Sequence, residues 1–97
     1  MIVNKTQTDK TETGKTLTTL LTLSAQSRDS WRDAIEHSDD PGTVVMTRDE
    51  CMGHWQAGIV AFSSDRAAAK TEFEAARKLA SQAGMDRPER VAIGICA

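Results

Sequence analysis

The chain is short of rings, thiols, prolines and long apolar runs. Four aromatics in 97 residues (Trp31, Trp55, Phe62 and Phe73) leave a core to be built mostly from aliphatic side chains. Two cysteines, Cys51 and Cys96, are too few for a disulfide framework. No stretch approaches the roughly 20 apolar residues that a bilayer span requires. The opening Met1-Ile-Val-Asn-Lys lacks the apolar segment of a secretory signal. Together these shortages predict a cytoplasmic protein with free thiols. No repeat recurs at the 20–50-residue periods of solenoids. The net charge of −2 is unevenly spread: residues 28–54 hold Asp29, Asp33, Glu36, Asp39, Asp40, Asp49 and Glu50 against three arginines. That balance disfavours a broad electrostatic footprint for nucleic acid and leaves an acidic patch for a basic partner.

What is present centres on residues 55–84. Trp55-Gln-Ala-Gly-Ile-Val-Ala-Phe62 places Trp55, Ala57, Ile59 and Ala61 on one face of an extended chain and Gln56, Gly58, Val60 and Phe62 on the other. Both rows are mainly apolar, which predicts a central strand covered on both faces. Ser63-Ser64-Asp65 then offers caps for a helix whose stripe is Ala69, Phe73, Ala76, Ala80 and Ala83, with Gly84 as its left-handed stop.

Elsewhere the pattern predicts a polar, Thr-rich tail or edge strand over 1–15 and a single domain over 16–97. Within that domain, threonines favour a strand over 16–24, and a short helix follows over 28–37 with Trp31, Ala34 and Ile35 buried. Asp39-Asp40-Pro41-Gly42 stops that helix. Thr43–Thr47 pairs with 55–62 as a hairpin across a 48–54 loop, and 90–96 is a last strand with Val91, Ile93 and Ile95 on its large face. The order βαββαβ is that of the ferredoxin-like α+β sandwich, an antiparallel four-stranded sheet with two helices on one face. If residues 16–25 are helical instead, the fold becomes an N-terminal helical segment plus a ββαβ unit.

The candidate chemistry is sparse, and no cofactor, metal or catalytic set is expected. Thr13-Gly14-Lys15-Thr16 resembles the end of a phosphate loop, but the first glycine of that motif falls on Asp9. Cys51-Met-Gly-His54 is half a zinc site with no second Cys/His pair. A nucleophile built from Cys51, His54 and Asp49 or Glu50 would lie wholly on one loop. The aromatic and basic signature of RNA-binding sandwiches is missing, as is a Cys-x-x-Cys metal-carrier loop.

What is left is surface. An apolar row uncovered by helices marks an interaction face, so the residues expected to meet a partner are Trp55, Ile59 and His54, with the acidic Asp33, Glu36, Asp39, Asp40, Asp49 and Glu50. The expected function is a non-enzymatic protein-binding module, acting on a protein partner or as a homodimer, with no membrane and no direct nucleic-acid contact. The alternative is a small dimeric ferredoxin-like enzyme or ligand-binding protein with a pocket near Cys51, His54 and Trp55. Over residues 43–97, a hairpin, an Ala-rich helix and a final apolar strand in a short, acidic-leaning chain resemble small phage-encoded inhibitors of host defence of the anti-CRISPR type. That resemblance implies a steric block or acidic decoy of a nucleic-acid-binding complex, and it carries over no functional residue.

Overall fold

The structure, a computed structural model, describes residues 2–97, with side chains from residue 14 onward. Four helices make up 86% of the chain: α1 (Ile2–Glu36), α2 (Pro41–Phe62), α3 (Arg66–Gln82) and α4 (Arg87–Cys96). There is no strand or sheet among the described residues, so the α+β ferredoxin-like expectation is wrong. The alternative fares better only over residues 16–25, which are helical; its ββαβ unit is absent. Met1 lies outside the described residues, and from Ile2 the backbone of the Thr-rich stretch is part of α1.

Connectors of three or four residues turn each helix back on the one before it. α1 packs on α2 and α4, and α3 packs on the same two, giving an up-down-up-down bundle. Its extents are 59 × 21 × 17 Å. At 1.5 Å per residue α1 is about 52 Å long, and it outruns α2 by about 20 Å.

One spacing runs through all four helices. The buried positions are Leu20, Ser24, Ser27 and Trp31 on α1; Cys51, Trp55, Gly58 and Phe62 on α2; Ala69, Phe73, Ala76 and Ala80 on α3; and Glu89, Ala92 and Cys96 on α4. Steps of four and three residues keep each set on one helical stripe. The α3 stripe is as the sequence predicts, and Ala83, the last residue proposed for it, is half-buried at the cap.

The misread strands have identifiable causes. α2 carries apolar residues on every side, with Met46 and Val60 exposed, so it mimics a strand covered on both faces. Trp55 and Phe62, opposed in an extended chain, lie seven residues apart on one helix face and are both 1% exposed. On α4 the supposed large face is split by the helical turn: Val91 is 46% exposed, Ile93 and Ile95 are half-buried against the core, and Ala92 and Cys96 of the supposed small face are buried. The threonines of α1 are accommodated by back-bonding, since Thr18, Thr19 and Thr22 donate their hydroxyls to the carbonyls of Gly14, Lys15 and Thr18 at 2.9–3.0 Å.

Boundaries follow cap chemistry. Asp40 caps α2 by accepting from the Thr43 N–H at 3.3 Å and the Thr43 hydroxyl at 2.6 Å, with Pro41 in the first turn where no N–H is needed. Asp65 accepts from Ala68 N–H at 3.1 Å to start α3. α3 ends at Gly84, φ +80°, where Met85 N–H reaches the Ala80 carbonyl at 2.7 Å and Gly84 N–H reaches that of Ser81 at 3.0 Å.

α2 and α3 meet most closely where the Phe73 ring lies on Gly58. A methyl group at Gly58 would stand 2.5 Å from Phe73 Cε1, and Trp55, tilted against the same ring with centroids 5.0 Å apart, crowds its other side. Gly53, earlier on the same helix, is exposed, and a methyl group there would meet nothing within 4 Å. Gly58→Ala should therefore destabilise the protein by about 1–3 kcal/mol through overpacking, whereas Gly53→Ala should stabilise it by roughly 0.4–1 kcal/mol through helix propensity. Urea titration of the two variants checks this, and shifts of the same sign would contradict the close approach of Phe73 to Gly58.

Candidate functional site

Two places concentrate polar side chains against apolar ones. The first is interior. Glu89, in the first turn of α4, is 1% exposed, and its Oε1 accepts from the Ser27 hydroxyl of α1 at 3.4 Å. The Cys51 thiol of α2 lies 3.8 Å from the same oxygen and 3.4 Å from the Ala76 carbonyl of α3. A single S–H can serve only one of them at a time. All four helices thus converge on this junction. Glu89 Oε2 is buried with no partner, as is Trp55 Nε1.

Burial pushes the Glu89 carboxyl above the usual carboxylate range, and the Asp86 charge adds to the rise; the bonds from its own backbone N–H, Ser27 and Cys51 pull the other way without cancelling it. Burial, with the Glu89 charge second, pushes the Cys51 thiol up to about 12. Cys51 is therefore held as a thiol at neutral pH, the opposite of what a nucleophile needs. Cys96, also buried and free, is raised by burial as well.

The second place is a groove of about 570 Å³ between α1 and α2. Asp40 and the four-residue turn fold α2 back along α1, and the turn is held by the Ser38 hydroxyl accepting from Asp40 N–H at 3.0 Å. Arg28, Arg32, Ile35 and Glu36 then share a face of α1 opposite Val45, Arg48, Asp49 and Met52 of α2. Ile35, Val45 and Met52 are half-buried, while Arg28, Arg32, Glu36 and Asp49 are exposed. Arg48 grips Asp49 with Nε at 3.1 Å and Nη2 at 2.9 Å. A further groove of about 530 Å³ lies between α1 and the α3–α4 turn, lined by Ser27, Trp31, Met85 and Arg87 among others.

The residues expected at a partner surface are dispersed. Trp55 is core, not surface, because the helical turn aims it at Phe73. Ile59 is half-buried beside it. His54 looks toward α3, its Nδ1 2.9 Å from Glu72 Oε2. Cys51, His54 and Trp55 line neither of these two grooves. Asp33 bonds His37 at the exposed end of α1, and the Asp33 carbonyl and charge raise the His37 imidazole. Asp39 is exposed in the turn, Asp40 is a cap whose Thr43 bonds lower its carboxyl, and Glu50 is exposed on α2. Glu36 and Asp49 alone of the set line the α1–α2 groove. No group of three His, Cys, Asp or Glu side chains is placed to hold a metal among the described residues. No helix among them is long and apolar enough to cross a membrane.

Sequence reasoning missed the arginines of this groove. Their signal is the spacing 28, 32, 35 against 45, 48, 52, which becomes legible only once 43–54 is helical. Compared with known proteins, the chain matches no family model, no curated protein and no solved structure.

Two outcomes follow from the buried junction. Because the folded Glu89 carboxyl is raised above its unfolded value, its share of stability is present in full below that unfolded value and is lost as pH rises through the folded one. The loss has a slope of at most about 1.4 kcal/mol per pH unit. Relative to wild type, Glu89→Gln should flatten the stability profile above about pH 4.5 and be the more stable protein at pH 8. Parallel melting profiles across that range would refute this. Thiol reagents at pH 8 should leave Cys51 unmodified in the folded protein and label it on unfolding; rapid native labelling would contradict the protonated, buried thiol.

Proposed function

We propose that this chain is a non-enzymatic protein-binding module that takes a segment of another protein into the α1–α2 groove. The observation that supports it is the lining itself: half-buried Ile35, Val45 and Met52 between two rows of exposed charge, a composition suited to an apolar anchor with polar contacts around it. Exposed Asp33, Asp39 and Asp40 at the α1–α2 turn, with Glu50 further along α2, extend the charged rim. A cytoplasmic location belongs to this proposal and draws on the free thiols of Cys51 and Cys96. So does the narrower role of a phage-type inhibitor that blocks a host nucleic-acid-binding complex. It now rests on small size, acidic lean and the Ala-rich α3, since the hairpin and final strand of that resemblance are helices.

Peptide-display selection against the whole protein tests the proposal. Enriched peptides should lose at least about tenfold in affinity, roughly 1.4 kcal/mol, against Met52→Asp and Val45→Asp. Circular dichroism of both variants should stay helical, because neither residue is in the sealed core. Absence of enrichment, or binding indifferent to both variants, would overturn it.

A further inference from the structure

We infer that α4 is a pH-sensitive latch: it leaves the bundle as a unit while α1, α2 and α3 stay folded, and this minor open form gains population as pH rises. Little holds α4 down. Its buried stripe is Glu89, Ala92 and Cys96, so the largest side chain it buries completely is a carboxyl. The other helices each bury a large apolar group: Leu20 and Trp31 on α1, Trp55 and Phe62 on α2, and Phe73 on α3. On α4, Ile93 and Ile95 are half-buried and Val91 is exposed. Apolar stabilisation follows the area removed from water, so α4 gains little from docking. A helix of ten residues is also marginal in water on its own. Its start is not reinforced either, since the Asp86 side chain makes no capping bond and pairs with Arg90 at 3.2 Å.

The closed bundle leaves the Glu89 carboxyl poorly served. Its Oε2 has no partner, and its Oε1 meets the Ser27 hydroxyl at 3.4 Å and the Cys51 thiol at 3.8 Å. Each neighbouring element offers it something uncharged or repulsive. α1 supplies that hydroxyl, α2 the protonated thiol, α3 the Ala76 carbonyl that the thiol also reaches, and α4 itself the Asp86 carboxylate. No ion pair among the described residues includes Glu89. Arg90 is engaged by Asp86, and Arg28, next to Ser27 in sequence, lines the α1–α2 groove instead. An ionised Glu89 in the closed form is thus a buried charge without a cation, whereas in the open form water solvates it. Opening releases the carboxyl proton to solvent, so the open share rises by up to about tenfold per pH unit. Water is already close. The groove of about 530 Å³ has Ser27 on one wall and Asp86, Arg87 and Pro88 on the other, and it undercuts the first turn of α4. The remaining helices keep their own ties, α2 to α3 through Phe73 against Gly58 and Trp55, and α1 to α2 through the capped turn.

Native-state hydrogen exchange of the full chain, followed by NMR from pH 5 to 8 with intrinsic base-catalysed rates divided out, tests the latch. Amides of Val91–Cys96 should be at least about tenfold less protected than those of Trp55, Gly58 and Phe73, and their protection should fall by up to about tenfold per pH unit. Glu89→Gln, of the same shape and uncharged, should abolish that fall. Ser27→Ala removes a donor to the carboxylate and should lower α4 protection further at pH 8, with the α2–α3 seam still the better protected. Circular dichroism confirms the fold of both variants, and if Glu89→Gln does not fold, the wild-type comparison and Ser27→Ala decide. Equal protection in α4 and the seam at every pH overturns the inference, because the bundle then opens as a whole. A fall with pH that persists in Glu89→Gln overturns it too, as does α4 protection unchanged by Ser27→Ala.

Discussion

The bundle depends on the closeness of α2 and α3, and that closeness on Phe73 lying against a residue with no side chain. Gly58 lets the ring approach the α2 backbone, Trp55 tilts onto it at 56°, and alanines at 69, 76 and 80 keep the rest of α3 within reach. An aromatic pair of this kind contributes roughly 0.5–1.5 kcal/mol beyond the area it buries. Arg66, 4.8 Å above the Phe62 ring, closes the same interface at its far end. With so few rings, the chain places three of its four on one helix pair and the last, Trp31, on α1.

Against that tight seam stands a polar junction. A carboxyl at 1% exposure with one oxygen unpartnered costs stability, and an aliphatic residue there would pack more favourably. What the carboxyl supplies is position. Ser27 and Cys51 can reach Glu89 only when α1, α2 and α4 are in one register, so sliding α4 by a turn would strip the group of the bonds it has. A short helix of ten residues has few other means of choosing its place.

The legible and illegible parts of the sequence divide on physical lines. α3 was legible because its alanines, Phe73 and charged outer face separate cleanly at helical period, and because Asp65 and Gly84 mark its ends. Of the helix around Trp31 only the last turns and the stop were legible; α1 begins at Ile2, and its threonines hid the part before residue 28. α2 was not legible: exposed Met46 and Val60 interrupt its polar side and blur the period, while Gly53, Gly58 and the β-branched Thr43-Val44-Val45 and Ile59-Val60 argue for a hairpin. Yet Cys51, Trp55, Gly58 and Phe62 already carry the four-three-four steps found on the other helices. In α4 the buried stripe opens on a charged residue, Glu89, which gives no apolar signal, so the alternation at Val91, Ile93 and Ile95 reads as a strand. The groove is hidden in the sequence for the same reason, since its α2 wall shows its period only as a helix.

The capped turn between α1 and α2 has a kinetic meaning. Both walls of the groove are joined by four residues, with Asp40 and Ser38 tying the backbone, so the cleft exists before anything enters it. Any complex formed there would cost the host little ordering. A preformed cleft of this kind discriminates mainly through how long a bound group stays.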